Sequence, residues 1–217
     1  MKKLFTAIKK HDFDLVKKIL EDKPNLIDCV AKQPPKSDDG KSLLQVAIKD
    51  GTIEIANYLL DKGANVNFME CETSVNGWQM PVIQDALSLA IMKTRWCVID
   101  AQGNETVQHT REESDEAFSL LKRMIDLGAD LNRVDSKGNT TLERVVMQAA
   151  QIMPLYNPNT QQYTEKRKIT NDFRSDLERI FSLLFEHGLT SRIKMRTSNM
   201  TIKEFYSKHP LNEVLIK

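Results

Sequence analysis

One stretch of the chain, Asp39 to Asn67, is punctuated so closely that few local structures remain open to it. Asp39 and Gly40 form a turn in which glycine takes a backbone angle that other residues resist, and the Ser42 hydroxyl stands where it caps a helix start. Leu43, Leu44, Ala47 and Ile48 follow at helical spacing, and small Ala47 lets a second helix approach. Gly51 ends that first helix. Ile53, Ile55, Ala56, Leu59 and Leu60 outline the second, which stops at Gly63 in the left-handed position that favours glycine. Two short helices lie back to back.

Read as DGKSLLQVAIKDGTIEIANYLLDKGANVN, the stretch resembles the ankyrin repeat. It matches that motif at Gly40, Leu44, Ala47, Gly51, Glu54, Leu59, Leu60, Gly63, Ala64 and Asn67. It departs at Leu43 and Gln45, where the family has proline and histidine, which implies a weaker hydroxyl–imidazole network between turns. The resemblance implies an all-α fold, an ankyrin-repeat solenoid of stacked helix-turn-helix units with long finger loops and two inter-helix insertions. The expected organisation is a single domain over 1–217, with repeats at about 1–36, 37–80, 81–134 and 135–198 and a C-terminal half-repeat at 199–217.

Fainter copies support this reading. Ala7, Ile8, Leu15, Val16, Ile19 and Leu20 take the places of Ala47, Ile48, Ile55, Ala56, Leu59 and Leu60, with His11 at the place of Gly51. Ala7 and Ala47 stand 40 residues apart against a family period of about 33, so the extra residues lengthen the first finger. The next finger, Phe68 to Gln84, is longer still and carries Trp78. A third pair begins near Asp85, with Ala90 and Ile91 where the paired alanines belong, and its first helix is expected to continue past Lys93. WCVIDAQGNETVQHT then alternates around Gly103–Asn104 as a small hairpin, and Thr110 with Glu113 has capping-box spacing. Asp135, Gly138, Thr140 and Leu142 restore the family turn, Pro154 stops the helix that follows, and YNPNTQQYTEKRK is loop-like in composition. A helix resumes near Asn171, and Thr201 opens a terminal cap. Insertions 94–111 and 154–170 fall at the same turn of adjacent repeats. They are expected to pack together, burying Trp96, Val98 and Tyr156 or Tyr163.

Charge narrows the partners. With 31 basic and 30 acidic residues the net charge is +1, so no global field draws the chain to nucleic acid or a membrane. The apolar run Leu4 to Ile8 is too short for a signal peptide, and no run spans a bilayer. Cys29, Cys71 and Cys97 are too scattered for a disulfide framework or a metal pair, which fits a reducing, cytoplasmic setting without metal or cofactor.

The resemblance places Lys9, Lys10, Lys49, Asp50, Met92, Lys93, Met147 and Gln148 on a concave groove, and Asp38, Lys41, Trp78 and Lys137 on the fingers. The groove set holds four lysines and one aspartate, which points to a protein partner with an acidic segment. The function implied is a non-enzymatic scaffold or adaptor, a role that the family also fills as inhibitor, effector or immunity protein, with a monomer favoured. The alternative is an enzyme or regulatory site in the insertion lobe, using His109 or Cys97. His187 belongs to a common helix ending of the family, and Cys97 reads as a buried thiol. A nucleic-acid reading ranks third and rests on Lys166–Lys168 and on the six basic and two acidic residues of 191–217, while the run Glu165–Lys168 reads first as a solvated loop surface.

Overall fold

The computed structural model describes residues 1–75, 77–157, 162–164, 166–196 and 198–215, with the backbone alone at 156 and 157. The chain forms two compact units, residues 1–89 with 119–138 and residues 90–118 with 139–217.

In the first unit, α1 (Lys2–Lys9) packs on α2 (Phe13–Asp22) and α3 (Leu43–Lys49) on α4 (Ile53–Asp61). The two pairs meet through α1 with α3 and α2 with α4. Their periodic apolar positions, Leu4, Ile8, Val16, Leu44, Ile48, Ile55 and Leu59, are sealed from solvent, and Ala47 and Ala56 supply the small contacts that let helices approach closely. The turns follow sequence. Gly51 has φ +73°, and His11 at the equivalent place has φ +56°. Ser42 and Gln45 close a capping box at the start of α3. The unit also holds the start of α5 (Val82–Met92) and the end of α6 (Arg111–Asp126), where the Arg123 guanidinium donates to the Asn57 carbonyl at 3.1 Å and to its Oδ1 at 2.9 Å.

The second unit is built on α7 (Thr141–Ile152) and α8 (Asn171–Glu186), whose inward faces bury Leu142, Val146, Phe173, Leu177, Phe181 and Leu184. Pro154 does end α7, leaving Met153 extended, and α9 (Ile202–Phe205) opens with a Thr201–Glu204 capping box. A single turn at Pro210–Glu213 then buries Leu211.

The all-α expectation fails in this unit. Strands β1 (Cys97–Ile99) and β2 (Glu105–Val107) form the expected hairpin, with Gly103 at φ +84° and the Asp100 carboxylate accepting the Gln102 and Asn104 N–H groups at 2.8 and 2.9 Å. Part of the stretch read as loop is strand as well. β3 (Tyr156–Asn157) pairs with β4 (Gln162–Tyr163), and β5 (Arg167–Lys168) pairs antiparallel with β1, giving a three-stranded order β2-β1-β5. Segments 94–111 and 154–170 therefore share a sheet. Cys97 is its buried residue, whereas Trp96, Val98 and Tyr163 are half-buried; the Tyr156 side chain and Glu165 lie outside the described residues. Nor does α5 continue past Lys93. The Thr94 hydroxyl donates to the Ile91 carbonyl at 2.7 Å, and the Asp176 carboxylate captures the Arg95 backbone N–H at 2.9 Å, which turns the chain out of the helix.

Candidate functional site

In the first unit the candidate residues gather around Asp38. Lys9 and Lys49 occupy equivalent last-turn positions of α1 and α3, and both reach the short 3₁₀ turn of the first finger. Lys9 Nζ lies 2.7 Å from Asp38 Oδ2 and Lys49 Nζ 2.8 Å from Oδ1, with a further bond from Lys49 to the Ser37 carbonyl at 2.9 Å. One buried carboxylate thus clamps two cations whose side chains stay 36% exposed. Burial alone would raise the Asp38 carboxyl. The hydrogen bonds from Lys49 and Lys9 outweigh burial and hold it below the usual carboxylate range. The bond to Asp38 in turn raises Lys9. Lys10 is exposed and Asp50 half-buried.

Asp38 and Lys41, placed on the fingers as contact residues, are inside. Asp38 is 3% and Lys41 7% exposed. Lys41 pairs with buried Glu70, and its desolvation pulls the ammonium below its ordinary value. Beside that pair stands Gln45, whose Nε2 donates to Asp85 Oδ2 at 2.9 Å, the Met80 carbonyl at 3.3 Å and Glu70 Oε1 at 3.4 Å. Gln45 therefore has a network of its own at this turn, its amide reaching the next finger from the place where the family has an imidazole. That finger is tied onward: Trp78 Nε1 donates to Asp135 Oδ2 at 2.9 Å, and the Lys137 ammonium lies 4.8 Å from the Trp78 ring centre.

The remaining candidates belong to the second unit. Lys93 Nζ is 2.8 Å from Glu113 Oε1, so its charge is matched. Glu113 is pushed down to about 2 by that bond and by the Thr110 backbone N–H, which it accepts at the start of α6. Met92 and Gln148 are half-buried and Met147 is 43% exposed. Cys97 contacts the Val98 carbonyl, His109 faces Glu113 at 3.5 Å, and among the described residues no hydrogen bond joins that thiol to that imidazole.

Sequence reasoning missed a buried polar cluster of this unit. Asp176, 1% exposed, accepts from Arg95 Nε at 3.0 Å and Nη2 at 2.9 Å, with the Arg179 guanidinium 3.4 Å away. A signal was present, since Asp176 falls on the apolar face of α8 between Phe173 and Ile180.

No helix among the described residues is long and apolar enough to cross a membrane. Compared with curated proteins, the chain has no significant match. Ankyrin repeats generally mediate protein–protein interaction, and proteins that carry them are typically non-enzymatic. The ankyrin-repeat family model matches residues 39–70, the stretch that holds the Gly40 turn, the Ser42 cap and the paired helices α3 and α4, so the chain carries an ankyrin repeat there.

Proposed function

We propose that this protein is a non-enzymatic adaptor or scaffold that binds a partner protein through the exposed ends of α1 and α3 and the adjoining finger. The observation that carries the reading is the clamp at Asp38. It holds two lysine head groups in fixed positions at the surface, and a preorganised pair of cations loses less freedom on meeting an anion than two free lysines would. With exposed Lys10 next in sequence to Lys9, the three lysines outnumber Asp38 and Asp50, which favours an acidic segment of the partner. The same surface serves an inhibitor or an immunity protein as well as an adaptor, because each needs one stable protein contact.

The test is affinity capture from extract of the native cell, with wild type beside the double variant Lys10→Glu, Lys49→Glu. Loss of one defined protein from the double variant is the expected result, and Lys10→Glu alone, which leaves the Asp38 clamp intact, should weaken its recovery with thermal stability unchanged. Equal recovery by both forms would remove this surface from the reading.

A further inference from the structure

We propose that the cleft between α1 and the first finger is an anchor pocket, which takes one apolar side chain from the acidic segment of the partner. The proposal rests on the protein-binding reading above and gives it a specificity element.

The cleft follows from the way α1 divides its residues. Leu4, Ala7 and Ile8 go to the core, while Lys2, Phe5, Thr6 and Lys9 share the opposite face, at the spacing that stacks side chains along a helix. Ala31 to Pro35 of the first finger supply the facing wall. The cleft, partly open to solvent, offers about 260 Å³, roughly nine waters at about 30 Å³ each, which leaves room for a leucine- or phenylalanine-sized side chain. Half-buried Phe5 and buried Ala31 offer it apolar contact. Pro34 and Pro35 have no N–H groups, so that part of the wall gives apolar surface without competing donors.

The rim decides the occupant. Lys2, Lys9 and Lys32 line the cleft, and its one acidic residue, Asp38, has both oxygens engaged by Lys9 and Lys49. An arriving carboxylate meets cations on several sides, and the one carboxylate that lines the cleft is already engaged. An apolar anchor flanked by Asp or Glu satisfies the floor and the rim together. A nucleic-acid strand would use the lysines and leave the floor empty.

Fluorescence anisotropy with two labelled heptapeptides tests this, one with leucine at the centre of six alternating Asp and Glu residues and one with alanine there. The leucine peptide is expected to bind about tenfold tighter or better, from burial of its side chain. Lys2→Glu with Lys32→Glu should weaken both peptides by about tenfold or more. Thr6→Glu, at an exposed position of the wall, should erase the preference for leucine, with circular dichroism showing an intact fold. Backbone amide shifts on adding the leucine peptide should concentrate at residues 2–9 and 31–38. Equal affinity for the two peptides, binding of neither, or shifts elsewhere would each overturn the pocket. So would a concentration-dependent dimer that Thr6→Glu dissolves, since the occupant would then be a second copy of the chain. If the pocket fails while partner capture still depends on Lys10 and Lys49, the protein-binding reading stands; loss of that dependence too would end both.

Discussion

Gly40 and Gly51 share a left-handed backbone and differ in their surroundings. Gly40 has φ +86°, and an added Cβ would collide with the Cys71 carbonyl oxygen of the next finger, which passes close enough for the Cys71 N–H to donate to the Gly40 carbonyl at 2.9 Å. Gly51 has φ +73° and nothing within 4 Å of that position. Gly51→Ala therefore carries only backbone strain, about 1–2 kcal/mol, whereas Gly40→Ala adds a clash with main chain for a total of about 3 kcal/mol or more. Urea unfolding of the two variants checks the order, and equal losses would mean that the finger is free to shift away. His11 shows that the turn tolerates a side chain where there is room. Gln45 belongs to the same scale. Its identity was visible as a departure from the family motif, but its role was not, because the acceptors it reaches lie up to 40 residues away.

At the scale of elements, the buried ion cluster joins the turn after α5 to α8. Burial would raise the Asp176 carboxyl, but the hydrogen bonds from the Arg95 side chain and backbone, with Arg179 adding charge, hold it below the ordinary value. A carboxyl depressed in the folded state stabilises that state above its unfolded value, near 3.8, and the contribution disappears as pH falls through the folded value. Asp176→Asn should accordingly flatten the acid limb of the stability curve below about pH 4. Arg95→Leu at neutral pH leaves the buried carboxylate without its main partner and should cost about 3–5 kcal/mol, while Arg95→Leu with Asp176→Leu recovers most of it. Denaturant unfolding of the single and double variants measures the difference, and a double variant no more stable than Arg95→Leu would show that the pair is not coupled. Glycines, hydroxyl caps and Pro154 made helix ends and the β1–β2 hairpin legible, since each acts on its own neighbours. Strand β5 was not legible, because two charged residues, Arg167 and Lys168, carry no alternation and pair only because β1 has an open edge. Asp38 and Lys41 misled for a related reason: charged side chains read as exposed until a matching charge distant in sequence buries them.

At the scale of the whole molecule, a net charge of +1 means that steering comes from local patches and not from the chain as a body. Over about 10 Å at 0.1 M salt such a patch is screened, so the lysines around Asp38 should act mainly on encounter. For the leucine-centred acidic peptide, stopped-flow association should slow by about tenfold between about 50 and 500 mM salt, while dissociation changes by less than about twofold, because the anchored side chain holds the complex. A partner bound through six to ten phosphates would instead lose about 10³–10⁵ in affinity between about 50 and 200 mM. The same titration with a single-stranded oligonucleotide gives the comparison. A salt effect carried by dissociation would place the lysines in direct, lasting contact with the acidic residues and make the apolar anchor secondary; a slope as steep as the phosphate case would transfer the surface to nucleic acid.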